Sequence, residues 1–283
     1  MRIALLNSGL GLLAAAARLH ELRPDADLVL SLDPDGMPWG ARTPGDIAQR
    51  SLSCAKAAAE YQPDVLVFAC NTGSVHALGA LRAEFEPGIP VVGTVPAIKP
   101  AAAASDAIAI WATASTTGSA YQRQLITEFA AAAHVTEIAC PGLADAIHAG
   151  DEPAAIAAIS AAAARTPAEC GAIVLGCTEY ELAAGTIAAA LPGVALFGSA
   201  AAVAAQALRR AGASPAGPGR APETSAGSLQ VLLSGRPSRL PPAALEYPEG
   251  RLLAALPVAA RPAGSPAGQL RAVSSVWSTG DTF

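Results

Sequence analysis

The chain has 283 residues, 52% hydrophobic and 14% charged, enough apolar material for one large core or two modest ones and too much for a disordered protein. A formal charge of -5, without any Lys/Arg cluster interleaved with aromatics, excludes a nucleic-acid backbone as partner. Five cysteines, Cys54, Cys70, Cys140, Cys170 and Cys177, form an odd set without CxxC spacing, which speaks against a disulfide framework or a zinc site and for reduced thiols in a cytosol.

In chain order, Met1-Arg2 followed by IALL has the look of a secretory signal. The polar Asn7-Ser8-Gly9 cuts the apolar run short, so RIALL (2–6) reads as a first strand. Further strands are expected at DLVLSL (27–32), DVLVFA (64–69), PVVG (90–93), AIAIWA (107–112), VTEIA (135–139), AIVLG (172–176) and VALFG (194–198). Alanine-rich helices are expected at 10–22, 44–61, 73–84, 119–133, 153–164 and 180–190. This alternation implies an α/β protein with mostly parallel sheets covered by helices. Pro24, Pro63, Pro87, Pro90, Pro167 and Pro192 all fall between elements.

Residues 182–208 carry no charge and are long enough to span a bilayer. Pro192-Gly193 splits them, and alanine contributes little transfer energy, so no membrane span is expected. After Gly212, ASPAGPGRAPETSAGS reads as a linker or long loop, SLQVLLSG (228–235) as a returning strand or edge element, and 251–283 as a flexible tail without assigned function.

Two strands end alike. VLVFACNTGS (65–74) and AIVLGCTEYE (172–181) each run from apolar residues into a cysteine and a threonine, at the end of an α/β strand where ligands gather. One reading makes the thiols small buried hydrophobes, with Thr72 and Thr178 as helix N-caps. The other makes them an acid/base pair, because a helix N-terminus lowers a thiol pKa from about 8.5 and a thiolate facing a thiol can take a proton from one side of a carbon and return one to the other. The repetition of the pattern favours the second.

NSGLG (7–11), MPWG (37–40), CNT (70–72), ACPGLADAIHAGD (139–151) and LGCTEY (175–180), in this order, resemble the aspartate/glutamate racemase superfamily, most closely its glutamate racemases, over about residues 2–247. The resemblance implies two pseudo-symmetric α/β domains, each a mostly parallel sheet flanked by helices, with the active site at their interface. The first would comprise 1–95 plus 207–250 and carry Cys70; the second would comprise 96–206 and carry Cys177. No pyridoxal phosphate or other cofactor and no metal is implied. Cys70 and Cys177 become the two acid/base groups on opposite faces of a small amino acid. Ser8, Asn71, Thr72 and Thr178 would hold its carboxylates and amino group, Pro38-Trp39-Gly40 matches the family's Pro-Tyr-Gly loop, and Thr113 and Thr116 match two further hydroxyl contacts. Interconversion of L- and D-glutamate in a bacterial cytoplasm for peptidoglycan, by a homodimer, is the activity and setting implied, with glutamate or aspartate as the partner molecule and neither nucleic acid nor membrane.

Three departures bear on catalysis. Asn7 stands where glutamate racemases usually carry aspartate, Glu179 where they carry histidine, and His148 where many carry glutamate. The last two read as an acid and a histidine with exchanged positions near the second cysteine, or else His148 is a surface helix residue. His20, His76 and His134 are expected to face solvent. Cys54 and Cys170 are read as core or bystander thiols, and Cys140 as structural. Aspartate racemase, hydantoin racemase and maleate isomerase remain rivals on this scaffold, and Cys70 argues against arylmalonate decarboxylase. A catalytically impaired amino-acid-binding homologue is the alternative of a different class.

Overall fold

A computed structural model describes residues 1–216 and 226–259. The first part of the chain runs β1 (Arg2–Asn7), α1 (Leu13–Leu22), β2 (Asp27–Leu32), α2 (Pro44–Ala59), β3 (Val65–Phe68), α3 (Asn71–Phe85) and β4 (Val91–Gly93). The second runs α4 (Ile98–Ala104), β5 (Ala107–Ala112), α5 (Ala120–Phe129), β6 (His134–Ala139), α6 (Leu143–Ala149), α7 (Glu152–Ala163), β7 (Ala172–Leu175), α8 (Ala184–Ala190) and β8 (Ala195–Phe197). The chain then returns through α9 (Ala200–Arg210), β9 (Leu229–Leu233), β10 (Arg236–Ser238) and α10 (Pro248–Ala254).

Two sheets result. One has the order β10-β9-β2-β1-β3-β4 and the other β6-β5-β7-β8. Within the first, β2-β1-β3-β4 has the same order as the whole of the second, and all these pairs are parallel. β3 and β7 are therefore topological equivalents, and each is followed by one of the two cysteines singled out above. The inner strands β3 (VLVF) and β7 (AIVL) are buried along their whole length, because helices cover both faces of a parallel sheet.

One apolar cluster links the two halves. It runs from Ile3, Leu5 and Leu30 through Leu10 and Leu12 to Tyr180, Trp111 and Ile173. The connection is made by two 3-10 turns, Leu10–Leu12 and Thr178–Ala183, packed on each other, where plain helix was expected from residues 10 and 180. These short turns follow β1 and β7, so the loops that lead out of the two halves meet at the domain junction.

The structure refines the expectations at several places. The expected boundary at 207 falls inside α9, which buries Val203, Ala204, Ala207 and Leu208 and packs on α1, β3 and β4 of the first part of the chain. Of its two expected forms, SLQVLLSG takes that of a returning strand: β9 is an inner strand, parallel to β2 and antiparallel to β10, and the edge is β10, where Pro237 lacks an N–H to donate. The expected tail from 251 begins too early: α10 extends to Ala254, Leu253 is fully buried, α10 packs on α1, and Ala259 N–H donates to Leu229 O at 3.0 Å. Lastly, α4 was not anticipated as a helix, and α6 only as the helix that would carry His148. Residues 217–225 of the expected linker and 260–283 of the expected tail lie outside the described residues. Among the described residues no helix is long and apolar enough to cross a membrane.

Candidate active site

A cavity of about 470 Å³ opens between the two sheets at the ends of β3 and β7. Both Cys70 and Cys177 line it. Each occupies the N-cap position, Cys70 of α3 and Cys177 of the Thr178–Ala183 turn; the capping role expected for Thr72 falls to the Cys70 thiol, while the Cys177 side chain makes no capping bond.

The thiols are held differently. Cys70 is buried, and its Sγ accepts the Gly73 N–H at 3.3 Å while Ser8 supplies main-chain and hydroxyl donors. Cys177 is half-buried, and its Sγ donates to Glu179 Oε2 at 3.0 Å. Burial pushes Cys70 up to about 12, with the Glu179 charge adding to it and the Gly73 and Ser8 donors opposing. Cys177 is also pushed far up, by burial first, then by the charge and hydrogen bond of Glu179, and further by the charge of Cys70. Each sulfur thus sits within the field of the same carboxylate.

Glu179 is a junction. Its Oε2 accepts from Cys177 and, at 3.3 Å, from Thr178 Oγ1, while its Oε1 accepts the Gly11 N–H at 3.3 Å. Gly11 has to be glycine, since a Cβ there would run into Thr178 Oγ1 and the Glu179 carboxylate. A Cβ on Gly9 would lie 2.9 Å from His148 Nδ1 and 3.3 Å from Glu179 Oε1, so these two side chains converge beside one backbone atom. His148 is half-buried on α6, lines the cavity, and its buried Nδ1 has no hydrogen-bond partner among the described residues. Burial lowers its pKa, and the Glu179 and Asp145 charges oppose that shift. His148 is therefore no surface bystander.

Of the other anticipated residues, Ser8, Pro38, Gly40, Asn71, Thr72, Thr113, Thr116 and Thr178 line the same cavity. Asn71 bridges the two halves, its Nδ2 donating to Gly176 O at 2.8 Å, and its Oδ1 is buried without a partner among the described residues. Thr113 shares hydrogen bonds with Ser115 and Thr116, each at 3.1 Å. Trp39 touches the cavity but is 1% exposed, its indole packed in the first domain's core, so it offers substrate almost no side-chain surface. Asn7 does not line the cavity at all. It sits behind it, 1% exposed, donating from Nδ2 to Ala69 O at 2.5 Å and to Thr178 Oγ1 at 3.1 Å, and so ties the two cysteine loops together.

Met37, Ser115, Cys140, Ala144 and Asp145 also line the cavity and were not anticipated there. Cys140, read as structural, is 2% exposed and its thiol donates to Ile138 O at 3.6 Å. The i,i+3 spacing of Asp145 and His148 was a signal available in the sequence, as it places both on one helix face. His76 and His134 are exposed, but His20 is half-buried, its Nδ1 without a partner among the described residues, because α1 is covered by α9 and α10.

Residues 7–207 match the family model Asp/Glu/Hydantoin racemase. The chain is 35% identical over 242 residues to glutamate racemase of Herpetosiphon aurantiacus, covering 83% of this chain and 93% of that one. It is 36% identical over 216 residues to glutamate racemase of Pseudomonas entomophila, covering 74% and 81%. Among solved structures it is similar to Escherichia coli glutamate racemase in complex with L-glutamate and the activator UDP-MurNAc-ala, with TM-score 0.72 and 26% identity over 87% of this chain and 91% of that one. The Thermus thermophilus glutamate racemase in complex with beta-chloro-D-alanine gives TM-score 0.64 and 25% identity over 92% and 94%.

Proposed function

The chain belongs to the Asp/Glu/hydantoin racemase family of isomerases, and from that premise we propose that it interconverts L- and D-glutamate by two-base proton transfer between Cys70 and Cys177. The observation that carries this reading is that two thiols from topologically equivalent strands line one cavity and share the field of Glu179.

The hydrogen bonds supply an asymmetry. Cys70 receives donors from Gly73 and Ser8, which favour a thiolate, while Cys177 gives its proton toward Glu179, which favours a thiol. In one direction Cys70 removes the α-proton and Cys177 delivers its own to the opposite face. In the reverse direction Cys177 is the base. Burial holds both thiols protonated; the substrate's α-ammonium offsets that cost, so that one of them, Cys70 in the first direction, releases its proton to solvent and acts as thiolate while the other stays a thiol. Among the described residues no Lys or Arg lines the cavity, and the substrate carboxylates are held by hydroxyls and amides, those of Ser8, Asn71, Thr72, Thr113, Ser115 and Thr116. His148 and Glu179 act as an exchanged acid and base behind Cys177. In this reading the product serves peptidoglycan synthesis in a bacterial cytoplasm.

Incubation with L-glutamate in D2O tests it. Loss of optical activity with deuterium entering Cα is the expected result. Bound glutamate with unchanged rotation would instead favour an amino-acid-binding homologue, and faster turnover of aspartate in a substrate panel would favour that substrate.

A further inference from the structure

Asp33 is 2% exposed and does not line the active cavity; it borders a separate one of about 360 Å³ behind the Met37–Gly40 loop. A carboxylate at that depth needs donors, and it has three. Trp39 Nε1 donates to Oδ2 at 2.9 Å, Arg50 Nη1 to Oδ2 at 3.3 Å, and Ser234 Oγ to Oδ1 at 3.0 Å. The Trp39 ring meets Phe68 edge-on, with centroids 5.8 Å apart and planes at 66°. Phe68 fills the space that Gly73 leaves, since a Cβ there would run into its ring. The Gly73 N–H donates to Cys70 Sγ. Four successive contacts thus connect a remote carboxylate to one of the two thiols, and none of them reaches Cys177.

We propose that Asp33 is a positioning residue for Cys70, acting through Trp39 and Phe68 to aim the Gly73 N–H at the sulfur. The proposal rests on Cys70 serving as a base in racemisation, but its geometry concerns the thiol alone. Freed from Asp33, the indole loses its anchor, Phe68 gains room, and the N–H that favours the thiolate loses its aim.

The test is alkylation by iodoacetamide at pH 8, followed separately at Cys70 and Cys177 by peptide mass spectrometry in the full chain. Asp33→Asn and Trp39→Phe are each expected to slow alkylation of Cys70 about three-fold, the change in thiolate fraction that half a pKa unit makes, and to leave Cys177 unchanged. The double variant should be no slower than the slower single one, because Asp33→Asn weakens and Trp39→Phe removes the same bond. The sign is diagnostic: loss of the Asp33 negative charge acting directly through space would speed alkylation, and so would a merely loosened, more open site. Unchanged or faster alkylation of Cys70, equal slowing of both thiols, or multiplying effects in the double variant would overturn the proposal. Should Asp33→Asn not fold, Trp39→Phe, which keeps the ring and carries no charge change, applies the same criteria alone. Because alkylation needs no turnover, a protein that fails to racemise glutamate still gives this reading.

Discussion

Cys177 and Glu179 stand two residues apart on one turn, and the thiol points its proton at the carboxylate from 3.0 Å. The same carboxylate charge holds both Cys177 and Cys70 toward their protonated forms. Glu179→Gln removes that charge, so both thiols ionise at lower pH. Alkylation of both cysteines at pH 8 is expected to quicken several-fold, while racemisation falls because the proton of Cys177 loses its partner; slower alkylation would contradict this electrostatic role.

Under the proposed two-base mechanism, replacing either thiol removes one of two proton-transfer groups. Cys70→Ser and Cys177→Ser are each expected to lower kcat by about 10²–10⁴-fold, the range of a general acid or base, with the fold retained. Polarimetry gives the rate and circular dichroism in the far ultraviolet the fold. Either variant retaining half the wild-type rate would remove that cysteine from the mechanism.

Exchanging the acid and the histidine offers a check on their pairing. His148→Glu alone places a second carboxylate beside Glu179, and activity should fall sharply. His148→Glu with Glu179→His restores one acid and one imidazole, so its activity should exceed that of the single variant and approach wild type. Collapse of the double variant would show that the two are not interchangeable partners.

Asn7 donates two hydrogen bonds from one buried amide nitrogen, to Ala69 O and Thr178 Oγ1. Asn7→Ala leaves both acceptors without it, and a loss of about 2 kcal/mol or more in stability follows from two buried hydrogen bonds at about 1 kcal/mol each. Asn7→Asp has no N–H to give Ala69 O and adds negative charge near both thiols. Urea unfolding should show both variants destabilised; an aspartate variant as stable as wild type but faster would mean that the carboxylate is worth more than the amide.

Burial holds Cys54, Cys70 and Cys140 up to about 12 from an ordinary value of 9.0, so the unfolded chain ionises first. Their contribution to stability is complete below pH 9 and is lost as pH rises from 9 toward 12. Cys54→Ala is expected to cost roughly 1 kcal/mol at pH 7 from the lost buried group, yet to show a smaller drop in Tm between pH 8 and pH 10 than wild type. An identical drop would show that Cys54 does not take part.

The sequence by itself determined the secondary structure pattern and the chemistry on offer. Runs such as VLVF and AIVL are short, apolar and bounded by polar residues, so they declare buried parallel strands locally, and the two Cys-Thr strand ends declare their likeness without any knowledge of the fold. The helical part of 251–259 and the packing of α9 were not legible, because small apolar residues such as Ala204 and Ala207 acquire meaning only from the surface they press against. Only the tertiary structure decided that Cys70 and Cys177 share a cavity, that Asn7 serves behind its wall and Trp39 in its core, and that Asp33, unremarkable in sequence, reaches Cys70 through Trp39 and Phe68. Those relations join residues far apart along the chain, and no local pattern records them; they exist because two sheets of the same strand order place equivalent strand ends face to face.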